Sequence, residues 1–288
     1  MMNYHIHHPT SETEFSELLN FVRRMAIQQA PFVYALPGDL DWWRRAIPSD
    51  EMYAQITIWR REDKIVGFGW ISDDQVDSIY DDSDPHIWAS IVAYYDTPDH
   101  RQRTLWAFSQ QTQRQAVLSA FGYCAGAAEY RMHSMRPSDA PLVSIPSGFT
   151  VSTVNDTLVD SRTACQRSAF NSTKMTSAIY HQVRSLPSYT GTWDRVMVNE
   201  AGEVVAFCTI WYDEVSGCAL FEPVGCHQEY QRRGLTRALI CQSLRDLAAA
   251  GVREARVLSV SDPTEPAVHL YRACGFQLVD ELVPWRAV

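Results

Sequence analysis

The stretch FEPVGCHQEYQRRGLTRALICQSL, residues 221–244, joins an apolar strand to an amphipathic helix through a loop with two arginines and a glycine. Beyond the loop, apolar residues recur with the 3.6-residue period of a helix that buries one face. They are Leu235, Leu239, Ile240, Leu244, Leu247 and Ala248. The first turn of this helix therefore falls near Gly234. Because a helix N-terminus leaves backbone N–H groups unpaired and carries partial positive charge, the stretch predicts an anion site.

The residues of the loop favour a phosphate as this anion. Gly234 has no Cβ, so its backbone can approach a ligand closely. Arg232, Arg233 and Arg237 add positive charge, which opposes the helix dipole unless an anion is bound. The alternative is an ordinary helix start with a basic, solvated surface. A Walker loop would need Lys-Ser or Lys-Thr after its glycine, which this loop lacks, so nucleotide hydrolysis is disfavoured.

Two motifs resemble one known family. QRRGLT, residues 231–236, resembles the acyl-CoA pyrophosphate loop Q/R-x-x-G-x-G/A of the GCN5-related N-acetyltransferases, the GNAT family. Thr236 departs from the small residue usual at its last position. PAVHLYRACGF, residues 266–276, is similar to the later family segment N-x-x-A-x-x-L-Y-x-x-x-G-F, with Thr264 where asparagine is usual. The matching positions are Gln231, Gly234, Ala267, Leu270, Tyr271, Gly275 and Phe276.

The resemblance implies an acetyl-CoA site in the second half of the chain. The residues it assigns to cofactor binding are Val224, Gln231, Arg232, Arg233, Gly234, Leu235, Thr236, Arg237 and Thr264. No metal ion is implied. The histidines His5, His7 and His8 could bind one, but terminal histidines are more often solvated.

Acetyl transfer to an amine needs a proton acceptor, a donor for the oxyanion and a proton for the departing thiolate. By the resemblance, Glu222 is the base, the Val224 N–H is the oxyanion donor and Tyr271 is the acid. A phenol of pKa about 10 can donate to a thiolate whose conjugate acid has a pKa near 8.5. Glu222 could instead cap a strand end, Tyr271 could simply pack in its helix, and His227 is the second candidate base.

The chain divides near its middle. RPSDAPLVSIPSGF, residues 136–149, is rich in proline and serine and is typical of a linker. On both sides similar pieces occur in the same order: DKIVGFGWIS matches GEVVAFCTIW, and VLSAFGYCAG matches LYRACGFQLV. We therefore expect an α/β (α+β) fold of two tandem GNAT-like modules, each a mixed, mostly antiparallel sheet flanked by helices. The boundaries are residues 1–136 for a degenerate module, 137–147 for a linker and 148–288 for the acetyl-CoA module.

The first module is expected to have lost cofactor binding. In it, DHRQRTLW occupies the place of the phosphate loop, with Thr104 where Gly234 would be. A Cβ there would obstruct a pyrophosphate. Tandem members of the family, such as the mycothiol-synthase-like acetyltransferases, share the two-module plan.

Composition restricts the partners. The 288-residue chain has a formal charge of -9, which argues against a nucleic-acid or anionic membrane surface. It has no apolar stretch of signal-peptide or membrane-spanning length, and its seven cysteines include no CxxC pair. The expected location is the cytoplasm. The sequence does not indicate an oligomeric state.

The acceptor is expected to be a small-molecule primary amine, which attacks the thioester directly. Candidate polar residues for its cleft are Asn171, Thr176, Tyr180, Tyr189 and Asp194, although capping or packing is the more common role of each. ALPGDLDWWRR, residues 35–45, could add a wall, and Asp81, Asp82 and Asp84 could attract a cation or form a solvated loop. The alternative function is a catalytically inactive CoA-binding or regulatory protein, and an enzyme for longer acyl chains is another.

Overall fold

The computed structural model describes residues 4–288. Its helices are α1 Glu12–Gln28, α2 Pro37–Arg44, α3 Ser49–Gln55, α4 Ile87–Tyr95, α5 Thr112–Ala120, α6 Val159–Phe170, α7 Ser177–Arg184, α8 Leu235–Ala249 and α9 Pro266–Ala273. Its strands are β1 His5–His7, β2 Ile56–Arg61, β3 Lys64–Ser72, β4 Gln75–Tyr80, β5 Thr104–Phe108, β6 Tyr123–Ala125, β7 Tyr130–Met135, β8 Phe149–Thr153, β9 Asp194–Asn199, β10 Val204–Asp213, β11 Cys218–Cys226, β12 Glu254–Val260 and β13 Gln277–Ala287. This mixed, mostly antiparallel arrangement confirms the predicted fold class.

The chain forms two compact units. The first unit comprises Met1–Pro37, Ile47–Met132 and Val279–Val288, and the second comprises Gly38–Ala46 and His133–Leu278. A short segment from the first half of the sequence thus lies in the second unit, and the C-terminal ten residues lie in the first. The module boundaries at residues 136 and 148 are predicted from pieces of sequence that are repeated in the two halves. They stay a prediction.

The first unit is a sheet with the strand order β1-β2-β3-β4-β5-β13, with β6 beside β13. The β1 to β4 neighbours are antiparallel, whereas β4 and β5 are parallel and are connected through α4. Phe15 and Phe21 of α1 pack edge-on against Trp70 and Phe68 of β3. Aromatic contacts therefore attach α1 to one side of the sheet, and a separate buried cluster is built on α4.

The second unit contains the order β8-β9-β10-β11-β12. The first four strands are antiparallel, and β12 runs parallel to β11 after the crossover helix α8. Along β10, Cys208 and Ile210 pack in the cluster that contains α8, while Phe207 and Trp211 pack in the cluster that contains α6 and α7. Because both faces are covered, β10 reads as a nearly continuous apolar run.

The helix predicted from the apolar period beyond the loop is confirmed, and it begins at Leu235. PAVHLYRA, the segment of the second motif, forms α9 from Pro266 to Ala273, with its proline at the first helical position. The stretch predicted as a linker includes a short 3-10 helix, Pro137–Asp139, and Ala140 and Val143 pack against the core of the second unit.

The structure places the repeated pieces at matching positions but corrects the position of the first module's loop. DKIVGFGWIS forms β3 and GEVVAFCTIW forms most of β10, while α5 and α9 carry the second pair. The prediction that Thr104 is the counterpart of Gly234 is wrong. Thr104 is the first residue of β5, where it is buried and pairs with Gln75 of β4. The sequence missed α4, IWASIVAYY, because apolar residues occupy nearly all of its positions and leave no amphipathic period.

The connection that precedes α4 is residues 81–86, DDSDPH. It is the topological counterpart of the loop before α8, since each connects the first strand of a parallel pair to the crossover helix. It contains three aspartates and no glycine. Its Asp84 is buried, receives a hydrogen bond from Tyr4 and forms an ion pair with Arg61 at 2.8 Å.

Candidate functional site

A β-bulge distorts β11 at the candidate base. Cys208 of β10 is opposite Val224, but Ile210 is opposite Phe221, so one residue of β10 faces two of β11. Thr209 of β10 faces both Glu222 and Pro223, so β11 has one extra residue at this place. A proline cannot donate to a ladder hydrogen bond, which explains why the irregularity occurs here. Pro223 therefore lies in the bulge rather than in a regular part of the ladder.

A gap opens between the parallel strands at the same place. The paired residues of β11 and β12 run from Cys218–Glu254 to Leu220–Arg256, and β11 then continues to Cys226 beside β10 alone. The second half of β11 therefore has one edge without a paired strand among the described residues. This open edge gives a ligand access to strand backbone groups inside an otherwise closed sheet.

The open edge presents the N–H of Val224. The N–H of His227 donates to the carbonyl of Val205 at 2.9 Å, and the register continues without a shift to the Val224–Cys208 pair, three positions along. Bonded and non-bonded pairs alternate in an antiparallel ladder, so the Val224–Cys208 pair is non-bonded. The N–H of Val224 therefore points away from β10 and towards the open edge.

The N-terminus of α8 provides a cluster of backbone donors. Arg232 and Gly234 have positive φ angles of 62° and 76°, and the first hydrogen bond back to the loop is from Ala238 N–H to the Gly234 carbonyl at 3.0 Å. The N–H groups of the turn before Ala238 have no acceptor within the helix. Unpaired N–H groups of this kind are donors suited to an anion.

Gly234 is explained by its conformation as well as by its small size. A Cβ built on it would have no neighbour within 4 Å, so the protein itself leaves this position open. The left-handed backbone, rather than a steric clash within the chain, calls for glycine here. Any other side chain at this position would also stand at the entrance to the anion site.

The basic residues of the loop have different environments. Arg232 is exposed, whereas the guanidinium of Arg233 lies 4.9 Å from the Tyr230 ring centroid and donates to the Glu229 carbonyl at 3.2 Å. Arg237 donates to the Ala273 carbonyl at 3.1 Å, at the C-terminus of α9. Arg237 therefore caps α9, and its charge favours that helix end.

The other predicted cofactor residues lie around the same helix end. Gln231 is exposed, Leu235 is buried in the core, and the Thr236 hydroxyl lies beside the thiol of Cys226 at the end of β11. Thr264 lies in the loop before α9, where its N–H and hydroxyl both donate to Asp262, at 2.8 Å and 2.7 Å. Thr264 thus shapes the β12–α9 loop.

Tyr271 is buried, and it lies within electrostatic range of Glu222. Its ring centroid is 6.0 Å from that of Phe276 and 6.3 Å from that of His133. Burial raises the pKa of Tyr271 above its ordinary value, and the negative charge of Glu222 raises it further. Tyr271 and Glu222 are therefore near each other, and the phenol is protonated at neutral pH.

His227 has a local structural role. It is the N-cap of the short 3-10 helix Gln228–Tyr230, and the N–H of Glu229 approaches its Nδ1 at 3.4 Å. The terminal histidines are elsewhere, in the first unit. His7 contacts Glu14 at 3.1 Å and His8 contacts the Ile56 carbonyl at 2.6 Å. No cluster suited to a metal ion is found in residues 4–288.

The polar residues suggested for the acceptor cleft mainly cap and pack. Asn171 is the left-handed C-cap of α6, and Thr176 is the N-cap of α7. Asp194 is fully buried and accepts hydrogen bonds from Tyr180 and, at 2.8 Å, from Tyr189. Burial raises the pKa values of both tyrosines. This network joins α7 and the following loop to the sheet.

Gly38–Ala46 lies next to the candidate base, and sequence analysis suggested this segment only as a wall. The Trp42 and Trp211 ring centroids are 6.2 Å apart, and the indole N–H of Trp211 donates to the Glu222 carbonyl at 2.7 Å. The guanidinium of Arg45 lies 3.7 Å from the Trp42 ring centroid. Arg45 is a site residue that the sequence did not identify, because no local motif indicates so distant a contact.

Residues 156–276 match the model of the Acetyltransferase (GNAT) family. No curated protein sequence matches the chain. None of the helices in residues 4–288 has the length and apolar character that a membrane span requires. The matched range contains β9 to β12, the anion loop and Tyr271, so the family resemblance of the second half is confirmed.

Solved structures share the fold over nearly the whole chain. A GCN5-related N-acetyltransferase from Sphaerobacter thermophilus is 13% identical with a TM-score of 0.64, covering 98% of this chain and 94% of its own. A tandem GNAT protein from the clavulanic acid biosynthesis pathway is 16% identical with a TM-score of 0.64, covering 98% of both chains. A GNAT-family acetyltransferase from Colwellia psychrerythraea is 9% identical with a TM-score of 0.68, covering 99% of this chain and 100% of its own. At these identities the likeness establishes the tandem fold.

Proposed function

Because residues 156–276 carry a GNAT acetyltransferase domain, we propose that the chain transfers an acetyl group from acetyl-CoA to a small-molecule primary amine by direct attack. The observation that carries the proposal is the open edge of β11. It joins the bulged Glu222, the outward N–H of Val224 and the nearby Tyr271 at one site.

The second unit has a suitable place for the cofactor. The N–H groups at the start of α8, with Gly234 in its left-handed conformation, would hold the pyrophosphate. The first unit has the acidic loop DDSDPH at the corresponding position, where like charges disfavour a pyrophosphate. We therefore propose one acetyl-CoA site per chain, in the second unit. Acetyl-CoA supplies an activated thioester there.

Each residue of the site has a distinct task in this proposal. The carboxylate of Glu222 takes a proton from the attacking amine, directly or through water. The N–H of Val224 donates to the oxygen on which negative charge develops, a contribution that reaches several kcal/mol in other acyl transfers. Tyr271 holds a proton at its phenol oxygen for the leaving sulfur. Burial keeps this phenol protonated at neutral pH, so its proton is present when the sulfur leaves.

We also propose a cytoplasmic location, which suits acetyl-CoA chemistry and the seven unpaired cysteines. The thiols of Cys241 and Cys274 interact in the interior without forming a disulfide.

The proposal is tested with Glu222→Gln, which keeps the shape of the side chain and removes the base. We expect the rate of N-acetylation over a panel of primary amines to fall about 100- to 10,000-fold, the usual contribution of general base catalysis. The readouts are free thiol release and the mass of the acetylated product. Glu214→Gln changes an exposed carboxylate of the same unit and should leave the rate unchanged. Absence of product from the unmodified protein with every amine would favour a CoA-binding protein without turnover.

A further inference from the structure

Near Glu222 lies a second charged side chain, Arg45, which the proposed acetyl transfer does not use. It follows α2, at the end of the segment Gly38–Ala46. Its guanidinium lies over the ring of Trp42 at 3.7 Å and donates to the Trp42 carbonyl at 2.6 Å. The stacking and this hydrogen bond fix the guanidinium in one place.

The position of Arg45 is set by contacts of its segment with the second unit. Gly38 lies so close to Trp211 that a Cβ built on it would be 2.5 Å from the Trp211 Cβ. Asp41 is fully buried, pairs with Arg44 at 2.8 Å and accepts from the Ser188 N–H at 2.9 Å. The segment is therefore attached at Gly38 and at Asp41, and Arg45 is not a freely moving surface side chain.

Arg45 has no carboxylate within 4.0 Å among the residues that the structure describes. It is partly buried, and burial lowers the pKa of its guanidinium while the carboxylate of Glu222 opposes this effect. Glu222 is thus close enough to act on Arg45 through space but not to form an ion pair with it. A partly desolvated guanidinium without an ion-pair partner favours an anion, and its planar fork fits a carboxylate best.

Glu222 and Arg45 present one negative and one positive charge, which complement the two opposite charges of a zwitterion. A simple cationic amine would gain attraction from Glu222 and lose it to repulsion from Arg45. An amine that also carries a carboxylate would place its ammonium group near Glu222 and its carboxylate at Arg45. Trp42 and Tyr189, which contact Trp211 from two sides, offer apolar surface beside these charges.

We propose that Arg45 binds a carboxylate of the acceptor, so that the acetylated substrate is an amino acid or another amine that bears a carboxylate group. This inference rests on the proposed acetyl transfer for its chemistry, and it names the substrate class of the same site. Arg45 is in this account a specificity-determining residue, whereas the proton transfers belong to Glu222 and Tyr271.

The test compares amino acids with their own carboxamides, over the common α-amino acids and a series of ω-amino acids of increasing length. For the unmodified protein we expect kcat/KM for the best amino acid to exceed that for its carboxamide by roughly 10- to 100-fold, as charge-assisted hydrogen bonds imply. Arg45→Gln should abolish this preference, and kcat/KM for the carboxamide should rise rather than fall, because the repulsion between Arg45 and the ammonium group is removed. Arg45→Lys should retain part of it, because the charge remains without the planar fork.

Two controls keep the outcomes separate. Arg245→Gln removes an exposed arginine of α8 with the same change in net charge and should keep the preference. Dissociation constants of the same amino acids and carboxamides, measured by NMR on the protein loaded with CoA, decide the inference even if no amine is acetylated. If the unmodified protein acetylates no amine, that result contradicts the proposed function but not the inference about Arg45.

Either of two results would overturn the inference. One is an equal fall for amino acids and carboxamides in Arg45→Gln with a displaced pH profile, which would mean that Arg45 acts through Glu222. The other is tighter binding of the carboxamides than of the amino acids by the unmodified protein.

Discussion

At the scale of single residues, the site combines features that the sequence predicted with one that it did not. Glycine and tyrosine at motif positions predicted Gly234 and Tyr271 as site residues, because each has a conformational or chemical property that few other residues share. Arg45 could not be identified in this way. Its proximity to Glu222 depends on a segment far away in the sequence, and no local pattern encodes that contact.

Replacing Tyr271 with phenylalanine tests the proposed acid. The ring contacts with Phe276 and His133 remain, so the fold and the acetyl-CoA affinity should be preserved. Turnover should fall about 100-fold or more, since the phenol proton is lost. Steady-state kinetics with acetyl-CoA titration separate the two effects, with Tyr212→Phe as a control. Unchanged turnover in the Tyr271 variant would remove this residue from the mechanism.

At the scale of secondary-structure elements, a helix with a clear local pattern could be predicted from the sequence, whereas pairings between distant segments could not. The start of α8 followed from the apolar period of its sequence. From the sequence, the segment that contains α2 is expected only as a wall of the cleft, and no pattern predicts that β13 completes the sheet of the first unit. Such pairings join residues far apart in the chain, and one sequence contains no direct signal for them.

The attachment of α2 is tested by Gly38→Ala. The added methyl group would overlap the buried Trp211, which has no room to move, and overpacking of this kind costs about 1–3 kcal/mol. The intrinsic gain of alanine over glycine in a helix, about 1 kcal/mol, offsets only part of this. Gly191→Ala is the matched control, since nothing lies within 4 Å of its added Cβ. Urea unfolding should show lower stability for the first variant only, and equal stability would contradict the tight contact.

At the scale of the whole molecule, buried phenols make the folded protein less stable at alkaline pH. Burial raises the pKa values of Tyr34, Tyr95, Tyr180 and Tyr271 above the ordinary 10.0. Above pH 10 the unfolded chain loses these protons and the folded chain keeps them, so the free energy of unfolding falls as pH rises. Each group contributes about 1.4 kcal/mol per pH unit.

Tyrosinate absorbance measures this effect directly. Of the 13 tyrosines in the sequence, fewer should titrate near pH 10 in the folded protein, and the remainder should appear together with unfolding. Titration of all tyrosines with an ordinary pKa, before any loss of structure, would contradict the burial of these four.

The central claim, that acetyl-CoA binds at the start of α8, is tested most directly by thermal unfolding with and without acetyl-CoA. Three proteins are compared: the unmodified chain, Gly234→Glu and Gly251→Glu. Gly251 follows the other end of α8 and matches Gly234, with φ near 80° and no neighbour within 4 Å of an added Cβ, so backbone strain and added charge are shared. Each midpoint shift is measured against the same protein without ligand.

We expect acetyl-CoA to stabilise the unmodified chain and Gly251→Glu, by about 2.7 kcal/mol at a hundredfold excess over Kd, and to leave Gly234→Glu unchanged. No rise in the unmodified chain, or an equal rise in Gly234→Glu, would contradict cofactor binding at this helix.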